Sequence, residues 1–434
     1  MNIFDLIERK KNYQSLTEEE IEYFVEGYTS GEIPDYQASA LLMAVCFAGM
    51  DSEETLAMTK AMMNSGDIVD LSGIEGVTAD KHSTGGIGDK TTLVLIPMLA
   101  ACGLVIAKMS GRGLGYTGGT IDKLESISGF RTSFTKKEFF DIVKDRNVII
   151  AAQTSSVAPA DKKLYALRDV TNTVDNISLI ASSIMSKKLA CGTENLILDV
   201  KTGSGSFMKS LQEAEELAEM MVGIAKGMSK NACAVISDMN QPLGNAVGNA
   251  LEVAEAVRTL KGDGPEDLLE LCTELGANLL VVSGLYAEAE EAKEMLLKMT
   301  ENGTAFEKFR EIVKNQGGDI SQLEDTSLLP SCPFRLNVKA PQAGFAEKID
   351  SRQIGMASLM SGAGRQTIDS DIDFGAGIVL HKKLGDYVQA GETIASVYSS
   401  DENKLLEAAD RVLESYSFSE EAVNRNTLIY KVIR

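Results

Sequence analysis

Long apolar runs are missing from this chain. No stretch reaches the length of a membrane span, and residues 1–8 carry acidic side chains with no apolar segment and cleavage site behind them, so a cytoplasmic protein is expected. Basic charge is also scarce: 42 Lys+Arg stand against 63 Asp+Glu, a formal net charge of −21. Such a surface repels nucleic-acid backbones and anionic lipid, which excludes both as partners. Cysteine is sparse and scattered: Cys46, Cys102, Cys191, Cys233, Cys272 and Cys332 form no C-x-x-C pair, and several lie in apolar runs. They read as reduced, structural thiols. Only two histidines are present, His82 and His381, and His381 receives no role.

What is there is enough for a large core: 434 residues, 44% hydrophobic, divide into two or three domains. Thr17-Glu18-Glu19-Glu20 and Asp51-Ser52-Glu53-Glu54 are capping boxes that start helices, and the second helical stretch ends at Gly66. The run from Ala38 to Ala48 is so rich in small and apolar residues that it is expected to be buried nearly all round, in a bundle or against a second subunit. From about residue 80, short apolar strands (104–109, 196–200 and 234–238) alternate with helices, the pattern of a mostly parallel sheet with ligand loops at the C-terminal strand ends. A helical stretch returns over 160–189. Past Pro330 and Pro333, glycine-punctuated strands at 375–380 and 385–391 suggest a small β-rich module. The expected fold is therefore α/β. A helical domain (1–66 and 162–193) joins a large, mostly parallel-sheet domain (67–161 and 194–331) and a β-rich α+β module (332–434), with a cleft between the first two.

An anionic substrate needs a positive pocket inside so acidic a molecule. Between Lys81 and Phe130 five basic side chains (Lys81, Lys90, Lys108, Arg112, Lys123) face three acidic ones (Asp89, Asp122, Glu125). Lys81-His82-Ser83-Thr84-Gly85-Gly86-Ile87-Gly88-Asp89-Lys90-Thr91-Thr92 combines hydroxyls, unencumbered backbone amides and lysines before an apolar helix, the parts of an anion site. It is not a Walker A loop, because Thr84 and Asp89 replace both glycines of that motif. Gly113-Leu114-Gly115-Tyr116-Thr117-Gly118 fits G-x-G-x-x-G, but no strand ending in a ribose-binding acid follows it. With Ser110 before it and Thr120 after it, this second loop reads better as the other half of one small-anion site. In the returning helices Ser183 and Lys187 lie one turn apart on one face, with Arg168 in the preceding helix.

Four segments, Lys81 to Gly86, Ser110 to Gly115, Gly118 to Glu125 and Ala181 to Lys188, resemble the thymidine and pyrimidine-nucleoside phosphorylases, and the resemblance extends over essentially the whole chain. It implies a homodimer that cleaves uridine, thymidine or deoxyuridine with inorganic phosphate, with no cofactor for the chemistry. It places phosphate against Lys81, His82, Ser83, Gly85, Gly86, Thr92, Lys108, Met109, Ser110 and Thr120. His82, Arg168, Ser183 and Lys187 are expected around the pyrimidine, with His82, Arg168 and Lys187 stabilising the departing base. Lysine at 108, where deoxynucleoside-restricted enzymes have methionine, implies the broader substrate range.

Two positions depart from the family pattern. Tyr116 replaces a common histidine. Lys90 replaces a common threonine beside a structural potassium site made by groups matching Gly88, Leu243, Ala246 and Glu255; an ammonium there competes with the ion and pairs with Glu255. Two further readings are open: an enzyme like anthranilate phosphoribosyltransferase, which would need Asp89 and Asp122 for Mg²⁺, and a catalytically silent nucleoside-binding protein.

Overall fold

Helix α1 (Ile3–Lys11) is followed by α2 (Glu18–Ser30), which opens on a reciprocal cap: Glu20 N donates to Thr17 Oγ1 at 3.3 Å and Thr17 N donates to Glu20 Oε2 at 2.9 Å. Asp51 and Glu54 form the same cap at α4 (Ser52–Asn64), with α3 (Asp35–Ala48) between. The computed structural model describes every residue except Leu114, Gln366, Ile368 and Asp369. The Leu114 position of the second glycine loop therefore lies outside the described residues. Among the described helices none is long and apolar enough to cross a membrane.

Five short strands, β1 (Thr78–Ser83), β2 (Val105–Ser110), β3 (Val148–Ala152), β4 (Asn195–Thr202) and β5 (Asn231–Asp238), pair in parallel in the order β5-β4-β1-β2-β3. Between them run α5 (Thr91–Ala101), α6 (Thr120–Glu125), α7 (Lys136–Arg146), α8 (Pro159–Thr171), α9 (Ile177–Ala190) and α10 (Leu211–Gly227). The chain builds outward from β1 to β3 and then crosses back to lay β4 on the other side of β1. That reversal leaves a crevice beyond the C-terminal ends of β1 and β4, where ligands bind in open α/β sheets.

The returning helices serve both lobes. Ala160, Leu164, Leu167 and Leu179 share a core with Ile21, Phe24, Leu41 and Met58 of the N-terminal helices. Ala181, Met185 and Leu189 instead pack with Leu198 and Val200 of β4 and with α10. Within the 162–193 segment expected in the helical domain, α9 is apolar on two sides because it packs against both lobes. Helix α3 is buried on one side and open on the other in the single subunit. Leu41, Leu42 and Val45 are buried, but Tyr36 and Phe47 on its outer side are 74% and 77% exposed.

The tail forms two small antiparallel sheets, one of which takes in the short strand at 246–247 from the preceding α/β part. β6 (Ala246–Val247), β7 (Phe334–Lys339), β8 (Gly344–Ile349), β9 (Gly377–Leu380), β10 (Tyr387–Val388), β11 (Thr393–Ser399) and β12 (Tyr416–Ser419) pair as β6-β9-β11-β7 and β10-β8-β12. The strand expected over 385–391 shrinks to β10, since Gly385 and Gly391 turn the chain at positive φ of 84° and 79°. At the far end of the 332–434 segment, β13 (Ile429–Ile433) pairs antiparallel with β5, covering that edge of the main sheet.

Candidate active site

Strand β1 sorts its side chains by alternation. Lys81 points toward α5, where its ammonium donates to Thr91 Oγ1 and lies 3.7 Å from both Asp89 and Asp199. Asp80 and His82 turn to the opposite face, toward α9. There Asp80 receives Lys188 Nζ at 2.9 Å and stands 3.6 Å from Lys108 Nζ. Lys188 also donates to Met109 O at 3.0 Å, and Lys108 to Lys81 O at 2.6 Å. These bonds fasten the last turn of α9 to β1 and β2.

Above this floor lies a cavity of about 430 Å³ that Lys81, His82, Ser83, Gly85, Gly86 and Thr92 line from the first loop. Lys108, Met109, Ser110 and Thr120 line it from the second, so all ten residues expected around phosphate meet there, and Lys187 joins them from α9. The two loops are stitched together by Lys123 of α6, which donates to Asp89 O at 2.7 Å and pairs with Glu252 at 2.8 Å. Gly86 sits in close contact: a Cβ there would stand 2.6 Å from the Lys201 side chain and 2.7 Å from that of Met239, so a larger residue would have to push them aside.

An adjoining cavity of about 760 Å³ shares His82, Ser83 and Lys187 with the first and adds Arg168, Ser183 and Asp161. Its wall is largely apolar, with Val157, Val174, Ile180, Ile184, Phe207 and Leu217, a suitable surface for a flat ring. Lys187 Nζ, on the boundary, donates to the Asp161 carboxylate and to Ser183 Oγ at 2.9 Å. Arg168 donates to Thr173 O (3.1 Å), Val174 O (2.8 Å) and Leu179 O (3.1 Å), which fixes its plane against the end of α8. With three of a guanidinium's five N–H groups engaged, the others remain for a ligand.

Burial shapes the charges. It holds Lys187 below the usual lysine range, with Asp161 opposing, and lowers Lys108 to about 7. Burial likewise lowers Lys188, but the Asp80 carboxylate more than offsets this and the net direction is up. His82 is held well below the ordinary histidine range by burial and by the charges of Lys188, Lys108, Lys81 and Lys187. Its Nε2 is buried and has no hydrogen-bond partner among the described residues. The imidazole is therefore neutral at physiological pH, offering an N–H or a lone pair rather than a full positive charge.

Sequence reading missed Asp80, Asp161 and Asp199. Asp161 had a signal, since it precedes Arg168 by two helical turns and shares its face. Asp199 sits inside the apolar run of β4, where a carboxylate demands a buried partner, whereas Asp80 lies in a polar strand, Thr78–Ser83, that carries no such signal.

The potassium expectation does not fit. Leu243 O, Ala246 O and Glu255 do converge beside Gly88, but around the Lys90 ammonium, at 2.9, 2.8 and 2.6 Å. Those oxygens already carry a bound positive charge.

Comparison with known proteins agrees with the geometry. The helical-bundle domain model of a glycosyl transferase family matches residues 4–66 and that family's a/b domain model matches 75–306. The pyrimidine nucleoside phosphorylase C-terminal domain model matches 345–419. Anthranilate phosphoribosyltransferase from Thermus thermophilus superposes with a TM-score of 0.59 over 72% of this chain and 99% of its own, at 17% identity, a likeness of fold alone. Pyrimidine-nucleoside phosphorylases from Staphylococcus haemolyticus and Staphylococcus epidermidis are each 51% identical over 433 residues, the full length of both chains, and one from Staphylococcus aureus is 50% identical over the same span. Half the residues shared end to end, with a matching domain model for each of the three parts, means that this chain belongs to the pyrimidine-nucleoside phosphorylase family.

Proposed function

We propose that this chain catalyses reversible phosphorolysis of pyrimidine nucleosides, giving the free base and (deoxy)ribose 1-phosphate. The observation that carries the reading is that Lys81 of β1 and Lys187 of α9 line one cavity that opens into an apolar-walled second one. Phosphate sits between the two glycine loops, and the pyrimidine lies against Arg168, Ser183 and Lys187.

A phosphate oxygen attacks C1′ as the C1′–N1 bond breaks. The bonding pair leaves with N1 and spreads to the ring oxygens, where the Lys187 ammonium and the free Arg168 N–H groups stabilise it. Neutral His82 adds a hydrogen bond but no charge. Solvent protonates the released base. Each charged group acts on charge that grows in the transition state, and no protein nucleophile takes part.

Lys108 is proposed to donate a hydrogen bond to the ribose 2′-hydroxyl oxygen, so that uridine is turned over beside thymidine and deoxyuridine. The exposed apolar side of α1 and α3, with Phe4 64% and Phe47 77% accessible, is proposed as the face where two copies form a homodimer. A cytoplasmic location is consistent with six free thiols.

The phosphoribosyltransferase reading is disfavoured by the two carboxylates it would recruit for Mg²⁺. Asp122 is engaged by Gly113 N (2.7 Å), Arg365 (2.7 Å) and Arg112 (3.3 Å), and Asp89 by Thr91 and Lys81. The test is base release from uridine, thymidine and deoxyuridine under two conditions: in EDTA with and without inorganic phosphate, and in Mg²⁺ with diphosphate. Release that requires phosphate and yields a sugar phosphate supports the proposal; release only with diphosphate and Mg²⁺ supports the transferase. No release under either condition supports the silent binding protein.

A further inference from the structure

Residues 242–246 form a tight loop behind the phosphate site, and every one of its carbonyls has a donor. Lys90 Nζ takes Leu243 O and Ala246 O at 2.9 and 2.8 Å. Lys383 Nζ, from the C-terminal module, takes Pro242 O, and takes Gly244 O at 2.7 Å. Leu380 N takes Asn245 O at 2.8 Å. Lys90 spends its third N–H on Glu255 Oε2 at 2.6 Å, and Asn245 N and Ala246 N bond that same oxygen at 3.0 Å each.

The cage is closed to anything larger. Gly244 lies at a φ of 63°, and a Cβ there would stand 2.4 Å from Glu255 Oε2 and 2.9 Å from Lys90 Nζ. At Gly88 a Cβ would stand 2.6 Å from Leu243 O. Lys90 and Glu255 are both fully buried, so each charge depends on the other. Lys90 is also the residue before α5, one position from Thr91, which holds Lys81, and two from Thr92, which lines the phosphate cavity.

We infer that Lys90 is a covalently tethered substitute for a monovalent cation: its ammonium neutralises Glu255, gathers the 242–246 loop and sets the start of α5, so this enzyme needs no potassium. A free ion is lost by dilution, whereas a side chain is not. The inference stands apart from the proposed reaction, because thermal melting reads it without substrate.

The experiment compares Tm and kcat/KM for phosphate in choline chloride and in potassium chloride at equal ionic strength. The wild-type protein is expected to give the same values in both. Lys90→Thr, which opens the cage, is expected to melt several degrees lower in choline and to recover Tm and activity along a saturating curve in potassium. Lys90→Ser is the second variant if threonine yields no folded protein, and the wild-type comparison needs neither. A saturable rise of wild-type Tm with potassium overturns the inference, as does an opened-cage variant whose Tm ignores potassium. Loss of phosphorolysis in every sample with Tm behaving as described refutes the proposed reaction and leaves this inference intact.

Discussion

Asp161 and Lys187 form an ion pair at the junction of the two cavities, one from the first turn of α8 and the other from the last turn of α9. The pair keeps a partly desolvated ammonium charged. Burial lowers Lys187, and the Asp161 carboxylate is the largest influence opposing it. Asp161→Asn removes that opposition, so the proton leaves Lys187 at lower pH. The alkaline limb of the kcat/KM profile should move to lower pH, whereas an unshifted limb would show that Asp161 does not support Lys187.

Asp80 stands under the site with Lys188 and Lys108. Truncating one member of a buried pair leaves the other unpaired, and Asp80→Ala is expected to cost about 3–5 kcal/mol, read as a lowered urea midpoint. The folded-state value of Asp80 is depressed, through Lys188 and Lys108 acting against burial. Its contribution to stability is therefore present above the ordinary carboxylate range and is lost as pH falls through the depressed value. A wild-type midpoint that falls with acid more steeply than that of Asp80→Asn checks the sign.

Lys108, at about 7, titrates in the working range. Below that value it is an ammonium able to hold a 2′-hydroxyl, and above it the charge is gone. The kcat/KM ratio of uridine to deoxyuridine should fall as pH rises through 7, and Lys108→Met should lower that ratio at every pH. A ratio independent of pH in the wild type would count against the assignment.

Phe47 lies on the open side of α3. Phe47→Asp is expected to raise the monomer fraction in sedimentation velocity without disturbing the core of the chain, since the ring is exposed in the single subunit. A wild-type protein that sediments as a monomer would remove the dimer proposal.

The two glycine loops and the Ser183–Lys187 face were legible because each is a local pattern: donors, glycines and helical spacing lie within a dozen residues. The parallel sheet was legible for the same reason. What lay beyond reach depends on distant partners. Lys188 meets Asp80 across 108 positions, and β13 returns to β5 from the far end of the chain. The double role of α9 was hidden because a helix packed on two sides loses the one-sided apolar stripe that marks a domain's own helix. Lys90 was read as a rival to a cation, and only the carbonyl positions reveal how completely it fills the place.

The account rests most on Lys187 acting on the leaving pyrimidine from a cavity it shares with Lys81. The direct measurement is kcat/KM for uridine phosphorolysis by Lys187→Ala, with folding verified by its melting curve. A loss of roughly 10²–10³-fold is predicted, the scale for removing one group that stabilises developing charge. Near-normal phosphorolysis by the folded variant would contradict it.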